Sequence, residues 1–146
     1  MANFRNYDPR QIVFTFKGLL FRGYAEGTFI KVERAVDGYS MAVGSNGDVV
    51  RTRSRNRTGS ITVTLQGASI TNDELSGLVV ADEISDDITF GVGAAMGKDL
   101  NGLTVFASQN AWIRKVAPYE AAMEHTNREW ILDCSELRMF VGGALR

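Results

Sequence analysis

Residues 48–66 read DVVRTRSRNRTGSITVTLQ, and this stretch falls into two halves. In the first, Arg51, Arg53, Arg55 and Arg57 recur at every second position. In the second, Ile61, Val63 and Leu65 do the same, with Ser60, Thr62, Thr64 and Gln66 between them. Both halves carry the period of a strand, in which successive side chains point to opposite faces. The apolar row predicts a strand that enters a core. The arginine row predicts a charged ladder that leaves it.

The chain around this stretch has 146 residues, enough for one domain with a real core, and residues 1–146 are read as such a domain. Hydrophobic residues make up 45% and charged residues 23%, the balance of an ordinary globular protein. The net charge of −1 gives no overall field that would draw nucleic acid or an anionic membrane. The ladder must therefore be balanced locally, and Asp82, Glu83, Asp86 and Asp87 supply acid. One cysteine, Cys134, excludes an intramolecular disulfide and a cysteine-rich metal site. No apolar signal region opens the sequence and no apolar run is long enough to span a bilayer, which predicts a cytosolic protein unless it joins a larger assembly.

Fifteen glycines against two prolines, placed between alternating runs, predict many short strands joined by turns. Residues 1–10 are polar and read as an arm on the body or on a neighbour. Strands are expected over residues 11–17, 29–34, 39–43, 58–66, 88–95, 103–116, 127–134 and 136–141. Asp37-Gly38 and Gly44-Ser45-Asn46-Gly47 read as turns, because their residues tolerate positive φ. Residues 39–54 then form a hairpin whose returning limb carries the first arginines. That limb reads as polar on both faces, so a projecting arm is expected. After Gly67 the period changes. Thr71-Asn72-Asp73-Glu74 fits a capping box, and Leu75, Leu78 and Val79 follow at helical spacing. This predicts a short helix over 72–81 with its stripe on the sheet, then an acidic loop over 82–87. The sum is a mainly β fold: an antiparallel β-sandwich or barrel with one short flanking α-helix and a projecting hairpin.

Signals for chemistry are weak. His125 is the only histidine, so a two-histidine metal site is excluded, and no Gly-x-Ser-x-Gly motif is present. Cys134 sits in an alternating run and is expected to pack inside. GVGAAMG at 91–97 lacks the strand–turn–helix setting of a dinucleotide fingerprint. The acidic residues lack the spacing of a calcium loop. No catalytic, cofactor or metal residue is assigned. The ladder itself has three readings: a solvated edge that blocks unwanted pairing, a single-strand nucleic-acid groove of the OB-fold kind, or a contact in which arginine forks hold carboxylates of another copy.

Four segments in order, GTFIKVER at 27–34, VGSNGDVVR at 43–51, TGSITVTL at 58–65 and SITNDELS at 69–76, resemble the tail tube proteins of contractile-tailed bacteriophages. The tube protein of type VI secretion systems is similar. The resemblance implies a β-sandwich or barrel with one helix, six copies joined as a ring, and rings stacked into a hollow tube in the virion tail. It implies a sheath outside and tape-measure protein and DNA in the lumen, with no cofactor and no membrane partner. The family's stacking hairpin maps here onto residues 39–54, with its turn at Gly44, Asn46 and Gly47. On this reading Arg51, Arg53, Arg55 and Arg57 reach a neighbouring copy, and Asp82, Glu83, Asp86 and Asp87 are the expected acceptors.

Overall fold

The computed structural model describes residue 4 and residues 6–143. The chain opens with a 3-10 turn at Pro9–Gln11 and continues as β1 (Ile12–Phe16), β2 (Leu19–Leu20), β3 (Ile30–Arg34), β4 (Tyr39–Val43), β5 (Val49–Arg53) and β6 (Gly59–Gln66). One helix follows, α1 (Ile70–Ile84), and then β7 (Gly93–Asp99), β8 (Val105–Ile113), β9 (Asn127–Cys134) and β10 (Arg138–Phe140). Eight strands share one antiparallel sheet in the order β2-β1-β7-β8-β9-β6-β3, with β10 pairing beside β8. The other two, β4 and β5, form a separate hairpin.

The apolar half of the opening stretch sits at the centre of this sheet. β6 alternates strictly, and Ile61, Val63 and Leu65 are each 0% exposed. It pairs with β9 along its whole length, from Gly59 opposite Cys134 to Gln66 opposite Asn127, which places Trp130 and Leu132 beside the same core face. Phe14 and Phe16 of β1, Phe106 of β8, Phe21 and Leu137 complete the core. Phe14 meets Phe21 edge-on at 4.7 Å and stacks on Phe106 at 5.8 Å. Gly97 lies where an added Cβ would meet the Phe106 ring at 2.1 Å, so only a hydrogen fits between these strands.

The sheet curves without closing. β8 changes partner along its length: β10 flanks Val105 to Ala107, and β9 flanks Ala111 to Ile113. The segment after β2 ties the two margins together. Phe21 N–H donates to Phe14 O at one margin, and Gln66 N–H donates to Gly23 O near the other. The antiparallel sandwich-like architecture therefore agrees with the expected fold class.

Helix α1 lies against the core through Thr71, Leu75, Leu78 and Val79, a spacing that makes one stripe. Its start differs from the expected capping box. Ser69 is the N-cap and accepts the Thr71 N–H, whereas Thr71 is buried and its hydroxyl accepts from Arg22 N–H. Its end differs too. The helix runs three residues beyond Ala81 and takes in Asp82 and Glu83. Strand β7 starts at Gly93 rather than at residue 88, because Asp87 accepts from both Thr89 N–H and Thr89 Oγ1–H and folds residues 88–91 into turns. A further turn was not anticipated. Lys17 and Gly18 have φ of 52° and 80° and join β1 to β2 in a two-residue loop.

Candidate assembly surface

The hairpin of β4 and β5 stands apart from the sheet, and all ten of its strand residues are exposed. It is held at its root by two backbone bonds, Ala35 N–H to Thr58 O and Ser54 N–H to Gly38 O. Asp37 and Gly38 thus bend the chain, but neither has positive φ. At the tip Gly47 N–H donates to Gly44 O, Gly47 adopts φ 88°, and the Asn46 amide donates to Asp48. The expected turn at Gly44, Asn46 and Gly47 is present.

Register shows what the hairpin presents. Tyr39 pairs with Arg53, Met41 with Arg51 and Val43 with Val49, so these six side chains share one face. The guanidinium of Arg51 lies 4.0 Å from the centre of the Tyr39 ring. This face is apolar toward the tip and cationic toward the root. The expectation of a returning limb polar on both faces is corrected: Val49 and Val50 of the limb itself are apolar, and Val43 and Met41 of β4 join Val49 on one face once the register is set.

The ladder is not one continuous strand. β5 ends at Arg53, and Arg55 and Arg57 lie in the irregular segment that leads to β6. Local side chains break the strand there: Ser54 Oγ accepts from Asn56 N–H, and Asn56 Oδ1 accepts from Thr58 N–H and Thr58 Oγ1–H. Arg57 carries its backbone carbonyl to Leu137 N–H and its guanidinium to within 4.0 Å of Glu136. Arg53, Arg55 and Arg57 line an open groove with Ser54, Ser135 and Glu136 at the root of the hairpin. Among the described residues, Arg51, Arg53 and Arg55 meet no carboxylate of their own chain within 4.0 Å.

The acidic group lies at the far end of α1. Asp82 is partly committed, since its carboxylate accepts Gly91 N–H at 2.9 Å and fills the space where a Gly91 Cβ would go. Asp87 is committed to Thr89, and those hydrogen bonds hold its carboxyl below the ordinary carboxylate range. Glu83 and Asp86 remain exposed and form no ion pair within the described chain. Beside them Ile84 and Ile88 are 78% and 90% exposed, with Val80 and Phe90 also in solvent. This end of the molecule thus combines acid with apolar surface, as the hairpin combines cation with apolar surface.

The residues considered for chemistry have structural duties. His125 Nε2 accepts Gly67 N–H at 3.0 Å and so ties the loop before β9 to the approach of α1. Cys134 is buried, and burial pushes its thiol pKa up, the opposite of an activated nucleophile. Among the described residues, no group of three or more His, Cys, Asp or Glu could hold a metal ion, and no helix is long and apolar enough to cross a membrane.

Comparison with known proteins agrees with the geometry. No curated protein sequence matches the chain. Solved structures of tube components share its fold. One similar structure is the anti-feeding prophage cap that terminates the tube, with a TM-score of 0.61 at 10% identity, covering 97% of this chain and 95% of that one. Another is the sheath/tube terminator of an extracellular contractile injection system, PVC, in its extended state, with a TM-score of 0.63 at 10% identity over 96% of this chain and 100% of that one. A chain of the PVC sheath-tube complex in the extended state gives 0.59 at 12% identity, covering 94% and 93%. The family model described as the Bacteriophage PhiTE tail tube protein matches residues 18–142. The chain belongs to that tail tube family.

Proposed function

We propose that this chain is a structural virion protein that assembles as a single tube domain into six-membered rings, which stack into the hollow inner tube of a contractile phage tail. The observation that carries this reading is the hairpin. Ten strand residues leave the core together and expose one apolar and cationic face that their own chain does not cover. A lone two-stranded hairpin gains little by itself in water, so a partner surface accounts for its persistence.

The hairpin of one copy reaches the next ring, with Arg51, Arg53, Arg55 and Arg57 toward carboxylates of the neighbour. Glu83 and Asp86 are the acceptors with the most freedom, while Asp82 and Asp87 combine that role with holding their own loops. If each copy gives its hairpin to one neighbour and its acidic end to another, the contact is heterologous and repeats along an axis. A near-neutral chain also suits a conduit for DNA, since a basic wall would bind phosphate. On this reading the sheath lies outside, and tape-measure protein and then DNA occupy the lumen. Rings form in the cytoplasm of the infected bacterium, and the protein has no enzymatic role.

Electron micrographs of the purified protein test the reading. Rings or hollow rods are expected, and uniform small particles at all salt and protein concentrations would contradict it. An OB-like nucleic-acid module would instead bind an oligonucleotide tightly as a monomer, with strong salt dependence.

A further inference from the structure

The sequence contains the pair Asn-Gly twice, at residues 46–47 and 101–102. This pair is chemically labile, because glycine carries no Cβ to keep its backbone nitrogen away from the amide carbon of the preceding side chain. The fold treats the two copies differently.

Asn101 is 5% exposed, and its side chain is held at both polar atoms. Its Oδ1 accepts Asp8 N–H at 3.0 Å, and its amide donates to Asp8 O and to Asp99 Oδ1, both at 2.9 Å. Asp99 O accepts Gly102 N–H at 3.2 Å. Swinging this side chain toward Gly102 would break those bonds and strand polar groups in a buried place. Asn46 sits instead at the exposed tip of the hairpin between β4 and β5. Its amide donates to Asp48 Oδ2 at 3.0 Å, and its Oδ1 accepts no hydrogen bond among the described residues. Gly47 N–H is held by Gly44 O at 3.0 Å, and the space where a Gly47 Cβ would stand is empty. The strand residues on both sides of this turn are exposed, so it opens at small cost.

We propose that Asn46 deamidates spontaneously at the hairpin tip and that the change makes a chain unfit for assembly. Gly47 N loses its proton to hydroxide and attacks Asn46 Cγ. The new Cγ–N bond closes a cyclic imide, the Cγ–Nδ2 bond breaks, and Nδ2 takes a proton from water and leaves as ammonia. Water then opens the imide. Cleavage of the new bond gives aspartate, and cleavage of the original peptide bond to Gly47 gives isoaspartate, so that one water is consumed and one ammonia released.

Both products disturb the tip. A carboxylate replaces the amide that donates to Asp48, so a hydrogen bond becomes a repulsion between like charges. Isoaspartate also adds a carbon to the main chain inside the turn that sets Val43 opposite Val49. The effect on assembly rests on the reading of the hairpin as a contact between copies, whereas the chemistry at Asn46 does not.

Peptide mapping by mass spectrometry tests the site in the full chain. Folded wild type is incubated in warm, mildly alkaline buffer and sampled over days. The mass gain of an amide-to-acid exchange is expected several-fold faster at Asn46 than at Asn101, and the two rates are expected to converge in guanidinium chloride, where the fold no longer shields Asn101. No gain at Asn46, or equal rates in the folded chain, would overturn the site. Deamidated chains separated by ion exchange are expected to give several-fold fewer rods than fresh ones. Asn46→Gln, whose longer side chain disfavours the imide, is expected to give as many rods after incubation as before it. Full rod yield from the deamidated fraction would overturn the effect on assembly and leave the site standing. Fresh wild type that forms neither rings nor rods would overturn the tube reading, and the effect on assembly with it, while the mapping still decides the site.

Discussion

Arg51 stacks on Tyr39 across the two strands of the exposed hairpin, with the guanidinium carbon 4.0 Å from the ring centre. The two are diagonal neighbours, since Tyr39 stands opposite Arg53 and Met41 opposite Arg51. The stack sets a flexible cation against the ring on the exposed face of the hairpin. It is a pre-organised contact on an element that has little else to order it.

Removing the ring should therefore affect assembly more than folding. An exposed cation–π contact is worth about 0.5–1 kcal/mol. Tyr39→Ala is expected to leave the thermal midpoint within about 4 °C of wild type, by the scaling for a chain of this size. Tube growth, followed by light scattering, should slow clearly and require more protein. Unchanged growth would mean that the Arg51 conformation plays no part in assembly.

Leu75 is the deepest contact of α1 with the sheet and is 0% exposed. Leu75→Ala should cost about 2–5 kcal/mol, as truncation of a buried leucine does. Urea unfolding should show a lower midpoint at an unchanged slope. A cost below about 1 kcal/mol would show that the helix is not held by this stripe.

Tyr24 predicts an alkaline limit to stability. Its hydroxyl is buried without a partner at good hydrogen-bonding geometry, and burial raises its pKa to about 12 against a smaller opposing effect of the Phe14 backbone. The unfolded tyrosine ionises near 10. Between those values the folded chain holds a proton that the unfolded chain has lost, so stability is intact below pH 10 and falls as pH rises toward 12. The loss should be of order 2 kcal/mol, and Tyr24→Phe should remove this part of the slope. An identical slope in Tyr24→Phe would refute the assignment.

How far these elements were legible in sequence differs by the range of the contacts that set them. β9 matches its expected bounds, Asn127–Cys134, because half-buried alternation is a local signal and Trp130 and Leu132 mark the inner face. The hairpin turn and the apolar row of β6 were legible for the same reason. The start of β7 was not, because Gly91 N–H is claimed by Asp82 nine residues earlier and the Gly93 position is crowded by the Lys17 side chain. The ladder looked continuous because arginine alternates through residue 57. Ser54 and Asn56, which take over the backbone bonds there, end the strand in the middle of it. The apolar half of the hairpin face was hidden for a further reason: it depends on which β4 residue stands opposite each arginine.

Charge complementarity between copies can be tested by exchange. Changing Glu83 and Asp86 to lysine in a chain that already carries Arg53→Glu and Arg55→Glu restores opposite signs across the proposed contact. Single exposed pairs contribute only about 0–1 kcal/mol, but a contact repeated around a ring multiplies them. The four-fold variant is expected to regain rods that the arginine double variant lacks, and these rods, like those of wild type, should weaken with added salt. Rods absent from the four-fold variant, with its fold intact by circular dichroism, would assign the acceptors elsewhere.

The most direct measurement is electron microscopy of the Arg53→Glu, Arg55→Glu double variant beside wild type, with circular dichroism on the same samples. Both arginines are exposed and unpaired within the described chain, so the variant should fold with an unchanged spectrum and thermal midpoint. The prediction is hollow rods from wild type and none from the variant. Normal rods from the folded variant would contradict the claim that the arginines of this hairpin join one ring to the next.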